Sequence, residues 1–329
     1  MTDAPAPPAS PPIDAVVIGR NEGARLMACL DSLKGQVRRI IYVDSGSTDG
    51  SVEAARSRGA DVVALDMSRP FTAARARNAG LARIRDTTQP EQDPLVQFID
   101  GDCILAADWV PRAAAFLAAH PGVAVVCGRR REQNPDASVY NQLCDSEWNT
   151  PLGETLACGG DALMRRAAVE AVGGYRETLI AGEEPELCLR LRQAGWAIWR
   201  LDGDMTRHDA RMTEFSQWWK RTRRAGHAFA EGAFLHGSLP ERHWVTETRR
   251  ALLWGLVLPL LILGLALLHP MWALIPALAY PMQFLRLARR DGPTEAWFSI
   301  IGKLAEAQGI IEFHINRLLR RRRGLIEYR

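Results

Sequence analysis

The chain lacks most of the short signals that would assign it quickly. Its six cysteines, Cys29, Cys103, Cys127, Cys144, Cys158 and Cys188, are scattered without a Cys-x-x-Cys pair. That spacing supports neither a disulfide framework nor a zinc site, and it implies reduced thiols in a cytosolic compartment. No G-x-G-x-x-G follows the first apolar run, which disfavours a dinucleotide-dependent oxidoreductase. Residues 4–12 are rich in proline and alanine but have no basic n-region and no apolar h-region, so they do not form a signal peptide; a disordered lead-in over residues 1–12 is expected. No RNA- or DNA-binding motif and no internal repeat is present, and nucleic acid is not an expected partner.

What is present is enough for one large α/β domain plus an appendage: 329 residues, 47% of them hydrophobic. The net charge of +3 conceals an asymmetry. Residues 201–329 carry 19 Lys and Arg against 12 Asp and Glu, whereas residues 1–200 carry 22 against 26. A mildly acidic front and a basic back fit a soluble domain followed by a segment facing anionic lipid.

The front half alternates apolar, β-branched runs with amphipathic stretches. Residues 13–19 lead through Arg20-Asn21-Glu22-Gly23 into a helical stretch that ends at Leu33. Residues 39–43 end in Asp44-Ser45-Gly46-Ser47-Thr48-Asp49-Gly50, and a helix over 51–58 and a strand over 61–65 follow. A helix over 72–85 precedes the strand 95–99, which runs into Asp100-Gly101-Asp102. This alternation predicts a mostly parallel sheet covered on both faces. In such sheets ligands sit beyond the carboxyl ends of the strands, and Glu22, Asp44, Asp100 and Asp102 all fall there. Two carboxylates one residue apart suit a hard divalent cation, although Asp-Gly-Asp is also a common surface turn.

Further on, a strand over 123–127 runs into Arg129-Arg130-Arg131, and a short strand is expected within 157–164. Ala181-Gly182-Glu183-Glu184-Pro185-Glu186 opens a helix that stops at Gly195, and residues 196–201 are expected to form an edge strand. Residues 212–230 form an amphipathic stretch with aromatic and basic faces, suited to a membrane interface or to docking on the domain. Residues 251–268 carry no charge and would span about 27 Å as a helix. A second apolar run, 271–285, is interrupted by Pro276 and Pro281. Arginines flank the pair, so a helical hairpin with both ends on the cytosolic side, spanning or re-entrant, is expected over 251–288. Residues 289–329 are expected to form an amphipathic helix that ends in the basic run 320–323 and lies on an anionic membrane surface.

Taken in order, Arg20-Asn21-Glu22, Asp44-Ser45-Gly46-Ser47-Thr48-Asp49-Gly50, Ala76-Arg77-Asn78-Ala79-Gly80, Asp100-Gly101-Asp102, Gly159-Gly160-Asp161-Ala162 and Gly182-Glu183-Glu184 resemble glycosyltransferase family 2. These are inverting enzymes with a GT-A type, Rossmann-like fold. The resemblance covers roughly residues 13–225 and implies a GT-A domain over 13–206, with interface helices over 207–250. It implies that Asn21, Glu22, Asp44, Arg77, Asn78 and Asp100 bind a nucleotide-diphosphate sugar, UDP-sugars first among them. Asp44 can alternatively form an Asx turn, and Glu22 can be a plain helix-start acid. Asp102 would hold Mg²⁺ or Mn²⁺, with Asp100 on the ribose or on the metal through water and His208 as a further ligand. Gly160 and Asp161 would form the acceptor-side loop. Glu184, or else Glu183, would be the catalytic base. The family's Glu-Asp pair is here Glu183-Glu184, and a helix N-terminus is expected to depress their pKa.

Processive members carry Gln-x-x-Arg-Trp near the membrane, whereas the similar region here is Gln217-Trp218-Trp219-Lys220-Arg221. The expectation is a non-processive enzyme of polysaccharide biosynthesis at the inner (cytoplasmic) membrane, with its catalytic domain in the cytosol and a lipid-linked or membrane-proximal glycan as acceptor. The competing expectation, prompted by the Glu-for-Asp change, is a catalytically silent protein that keeps the fold for binding or scaffolding.

Overall fold

The computed structural model describes residues 11–89, 93–238 and 240–320. Residues 1–10 of the expected lead-in and 321–329 of the expected tail lie outside them. The chain divides into two compact units: one comprises the residues up to Pro135, Cys144–Thr178 and Glu183–Ala210, and the other Asp136–Leu143, Leu179–Gly182 and the residues from Arg211 onward.

The first unit opens with the alternation that the sequence predicts. β1 (Ile13–Gly19), α1 (Ala24–Leu33), β2 (Arg39–Asp44), α2 (Ser51–Ser57), β3 (Asp61–Ala64), α3 (Ala73–Thr87) and β4 (Leu95–Asp100) follow one another. Then come β5 (Cys103–Leu105), α4 (Trp109–Ala119), β6 (Val123–Glu132), α5 (Val139–Glu147, in this unit only from Cys144), β7 (Gly153–Glu154), β8 (Ala162–Arg165), α6 (Arg166–Ala171), α7 (Glu183–Gln193) and β9 (Ala197–His208). The sheet order is β3-β2-β1-β4-β8-β6-β9-β5, with β7 also on β9. β1, β2, β3 and β4 are mutually parallel, β6 and β9 run parallel to each other, and β8 is antiparallel to both β4 and β6. Six of the nine strands therefore point one way. β1 and β4 read as continuous apolar runs because both faces are covered: Ala15, Val16, Val17, Val96 and Phe98 are fully buried.

Two features position the site. A Cβ on Gly80 would lie 2.4 Å from a Val16 methyl, so the glycine lets α3 pack directly on β1. Arg77, one turn earlier on the same helix face, is thereby held against the sheet. The second feature is β9. Residues 196–201 do not form an edge strand; β9 runs for 12 residues and lies between β6 and β5. Gly203 and register shifts in β6 between Cys127 and Arg130 let the long pair bend and continue through a polar stretch. A domain boundary at residue 206 would cut this strand, and the first unit instead extends to Ala210.

The second unit is helical: α8 (Phe215–His236), α9 (Val245–Leu252), α10 (Leu258–Leu268), α11 (Pro270–Ala277), α12 (Ala279–Asp291) and α13 (Pro293–Leu318). α9 and α10 join through a π-helical turn, Leu253–Val257, into one helix, Val245–Leu268. Its cause is Pro259, which has no N–H to offer the preceding turn. The Tyr280 hydroxyl donates to the Trp254 carbonyl at 2.6 Å and satisfies that acceptor. This 24-residue helix, about 36 Å long, has a mean hydropathy of 2.6 in its most apolar stretch and is long and apolar enough to cross a membrane. The second apolar run is divided at Leu278 between α11 and α12. Pro276 within α11 and Pro281 in the first turn of α12 account for the break.

Candidate active site

The first loop and the end of β2 are fastened together. The Asn21 N–H donates to Ser47 Oγ at 2.9 Å and its side-chain oxygen accepts from the Thr48 N–H at 2.7 Å. The Asp44 carboxylate accepts from the Gly46 and Ser47 N–H groups at 3.0 and 2.9 Å and from the Tyr42 hydroxyl at 3.0 Å. Asp44 thus forms the Asx turn that closes β2, and any hydrogen bond to a ligand would use its remaining lone pairs. Glu22 pairs with Arg25 at 2.5 Å and its Cγ lies beside the Cα positions of Gly19 and Gly101, next to the acidic triplet.

Arg77 is the centre of the site. Its side chain is buried, with Nη1 2.9 Å from both Glu183 Oε1 and Glu184 Oε1 and Nη2 2.9 Å from Asp100 Oδ1. The sequence placed Arg77 on a nucleotide; the structure surrounds its guanidinium with three carboxylates and the Tyr175 ring. Asn78, the next residue, points about 100° away round the helix. Its amide grips the segment after α6, accepting from the Tyr175 N–H at 2.9 Å and donating to the Tyr175 carbonyl at 2.8 Å. The polar atoms of Asn78 thus hold a loop.

The rest of the site follows from strand register. β6, β9 and β5 place Glu132, His208 and Cys103 side by side, with Arg130 opposite Thr206 two residues earlier. Side chains alternate along a strand, so Arg130 and Glu132 share a face, while Arg129 and Arg131 both bond to Asp145. Arg130 Nη2 reaches Asp100 Oδ2 at 3.1 Å and Asp161 Oδ2 at 2.8 Å. Burial opposes ionisation of Asp100, yet Arg77 and Arg130 together hold it below the ordinary carboxylate range. With both oxygens on guanidinium groups, Asp100 is a poor direct metal ligand.

Asp161 belongs to the same network. Its carboxylate accepts from the Asp100 N–H at 3.0 Å, from Arg130 Nε at 3.0 Å and from the Thr206 hydroxyl at 2.7 Å, and its side chain is 0% exposed. It locks β4, β6 and β9 together. A Cβ on Gly160 would lie 2.7 Å from Arg77 Nη2 and 2.8 Å from Asp100 Oδ2, so this glycine admits the backbone to the Arg77–Asp100 pair.

Asp102 and His208 do meet. His208 Nε2 is 3.3 Å from Asp102 Oδ2, and its Nδ1 is 3.8 Å from Glu132 Oε2. Burial alone would lower the His208 pKa, but the Asp102 charge and hydrogen bonds with Asp102 and Glu132 raise it to about 9. Donor atoms of Asp102, Cys103 and His208 lie within 4.8 Å of one another, a spacing that suits one ion. Glu183 and Glu184 open α7 as expected, but burial and the Glu183 charge outweigh the helix terminus and raise Glu184 to about 7 against the pull of Arg77. The side chains of Glu184 and Glu183 are 13% and 9% exposed.

The family description "Glycosyl transferase family 2" matches residues 14–173, spanning the strands that carry Asp44, Asp100 and Asp102. A glycosyltransferase family 2 domain occupies these residues. It is 30% identical over 248 residues to the pre-mycofactocin glycosyltransferase of Mycobacterium tuberculosis, covering 70% of this chain and 50% of that protein. It is 29% identical over 201 residues to the succinoglycan biosynthesis protein ExoA of Rhizobium meliloti, covering 55% of this chain and 58% of that one. The chain thus spans little more than half the length of these relatives. A solved mannosyltransferase from Pyrobaculum calidifontis, in complex with GDP-Man and Mn²⁺, superposes with a TM-score of 0.63 at 20% identity over 96% of this chain and 89% of that one. The sheet therefore has the GT-A-like fold.

The residues missed in the sequence are Arg130, Glu132, Thr206 and Trp148. The Trp148 ring meets His208 edge to face at 5.0 Å and lies 5.5 Å from the Arg130 guanidinium. The alternation of Arg129-Arg130-Arg131-Glu132 on a strand carried the signal for the first two. Trp148 had none, because its approach to His208 depends on tertiary contacts.

Proposed function

We propose that this chain is an inverting glycosyltransferase, transferring a sugar from a nucleotide-diphosphate donor to a lipid-linked or membrane-proximal glycan. The carrying observation is the convergence of Asp100, Glu183 and Glu184 on Arg77, which brings the acidic end of β4 and the acidic start of α7 to one guanidinium. Asp44 lies two strands from Asp100, roughly 10 Å along the same carboxyl edge, a separation suited to a nucleotide lying across it.

In this reading the acceptor hydroxyl attacks the anomeric carbon opposite the diphosphate, the new C–O bond forms as the bond to the diphosphate breaks, and Glu184 takes the hydroxyl proton. A pKa of about 7 suits a general base at neutral pH, and Glu184 is the more exposed of the pair. Asp102 and His208 would hold a divalent cation, Mg²⁺ or Mn²⁺, which when bound neutralises the diphosphate. Asp100, fixed by two arginines, faces the donor ribose, and Asp161 with Arg130 keeps that carboxylate in place.

Membrane association at the inner leaflet, with the catalytic unit cytosolic, is supported by the Val245–Leu268 helix and by the exposed Leu267, Leu268, Met271, Trp272 and Ile275 beyond and around its end. We read α10 to α12 as a spanning or re-entrant hairpin and the chain as non-processive. The test is a screen of nucleotide-sugar donors by thermal shift and by transfer, with and without Mn²⁺. Donor-dependent stabilisation and transfer, both lost in Asp102→Ala, are expected. Full metal-dependent activity in that variant would remove the assignment of the site.

A further inference from the structure

One pair of side chains beside the site has no place in the transfer reaction. Cys158 Sγ and Cys188 Sγ lie 3.6 Å apart, although 30 residues separate them in the chain. Cys158 sits in the irregular segment just before Gly159-Gly160-Asp161, and Cys188 is one helical turn after Glu184 on α7. We propose that Cys158 and Cys188 form a reversible thiol–disulfide site, and that closing it displaces Glu184 and suppresses transfer.

Both thiols are buried, Cys158 at 7% exposure and Cys188 at 0%, and Cys158 is followed directly by the exposed Gly159. Of the two, Cys158 is therefore the thiol that solvent touches. The hydrogen bond between the two thiols holds the Cys188 thiol below its ordinary range, the direction that favours the attacking thiolate. The chemistry closes with hydrogen peroxide as oxidant. Two S–H bonds break and one S–S bond forms, and the two protons and two electrons reduce the peroxide to two waters.

The mechanical consequence follows from the geometry. A bonded pair stands about 2 Å apart, so the sulfurs must approach by more than an ångström. The segment carrying Cys158 has no room to move inward at Gly160, where the chain already lies against Arg77 and Asp100. Movement must then be shared with α7, and Cys188 and Glu184 lie on the same face of that helix, four residues apart. A base misplaced by an ångström loses roughly 100-fold in rate.

The chemical half of this inference stands apart from the proposed function; the suppression of transfer rests on it. The test treats the full-length protein with hydrogen peroxide and maps peptides without reduction. The expected result is loss of two of the six thiols, a Cys158–Cys188 linked peptide, and a roughly 10- to 100-fold fall in transfer that a dithiol reverses. Cys158→Ala and Cys188→Ala are each expected to keep the reduced protein's transfer rate and to resist the oxidant. Six intact thiols, or a bond from Cys188 to Cys127 instead, overturns the site. A linked peptide with an unchanged rate overturns the regulation. Absence of transfer in the reduced protein while the linked peptide still forms would instead count against the proposed function.

Discussion

Glu184 offers a prediction in which catalysis and stability move in opposite directions. Its carboxyl is raised from an ordinary 4.5 to about 7, by burial first and by the Glu183 charge second. A group whose folded pKa lies above its unfolded value contributes stability that is fully present below the unfolded pKa and is lost as pH rises through the folded one. Between about pH 4.5 and 7 the folded protein therefore loses about 3 kcal/mol at this residue. Glutamine has nearly the same shape and no charge to bury. In Glu184→Gln the loss disappears, and Arg77 still has Glu183 and Asp100 as partners. The variant should be more stable than the parent at pH 8, by about 1–3 kcal/mol, and equal to it near pH 4.5. Urea unfolding followed by tryptophan fluorescence at both pH values measures the difference. Transfer by the same variant should fall roughly 100- to 10,000-fold, and transfer by the parent should rise with pH up to about 7 as the carboxylate ionises. Parallel stability curves for parent and variant would refute the account of why Glu184 is raised.

Asp102→Ala should abolish stabilisation by Mn²⁺ in thermal shift and lower transfer at least about 100-fold, with His208→Ala weakening Mn²⁺ binding in the same assay. Arg130→Met leaves the Asp161 carboxylate, 0% exposed, without its cation and should cost about 3–5 kcal/mol in urea unfolding. Gly160→Ala places a methyl 2.7 Å from Arg77 Nη2; the Arg77–Asp100 pair must part, and both a loss of about 1–3 kcal/mol in urea unfolding and a fall in transfer are expected.

The parts of the molecule that the sequence disclosed are those governed by local pattern. β1, β2 and β4 are mostly apolar strands ending in a glycine or an acid, and their carboxyl edge locates Asp44, Asp100 and Asp102 without coordinates. The strand expected over 196–201 stops short of the polar Asp202-Gly203-Asp204, whereas pairing with both β6 and β5 carries β9 through it. Asp161 illustrates a different limit. Its sequence neighbourhood shows a polar residue after two glycines, which is equally a ligand contact or a structural acid; only the Thr206 and Arg130 partners, 45 and 31 residues away, decide between them. The pKa of Glu184 was misjudged for the same reason: the helix terminus is visible in sequence, while the burial that overrides it is not.

The charges explain why these residues belong together. Asp100, Asp102, Asp161, Glu132, Glu183 and Glu184 gather around Arg77, Arg130 and His208. With Glu184 ionised and His208 protonated, six negative charges face three positive ones in a largely buried setting. A hydrophobic replacement would be at least as stable, so such a cluster is poor evidence of a purely structural role. Its sign is informative. Both guanidinium groups are engaged by carboxylates, so neither is available to neutralise a diphosphate, and the acids themselves repel one. A divalent cation on Asp102 and His208, whose imidazolium must give up its proton to bind it, would reverse that repulsion locally while leaving the Arg77-linked acids in place. On the acceptor side, burial first and the neighbouring Glu183 charge second raise Glu184 into the range of a useful base.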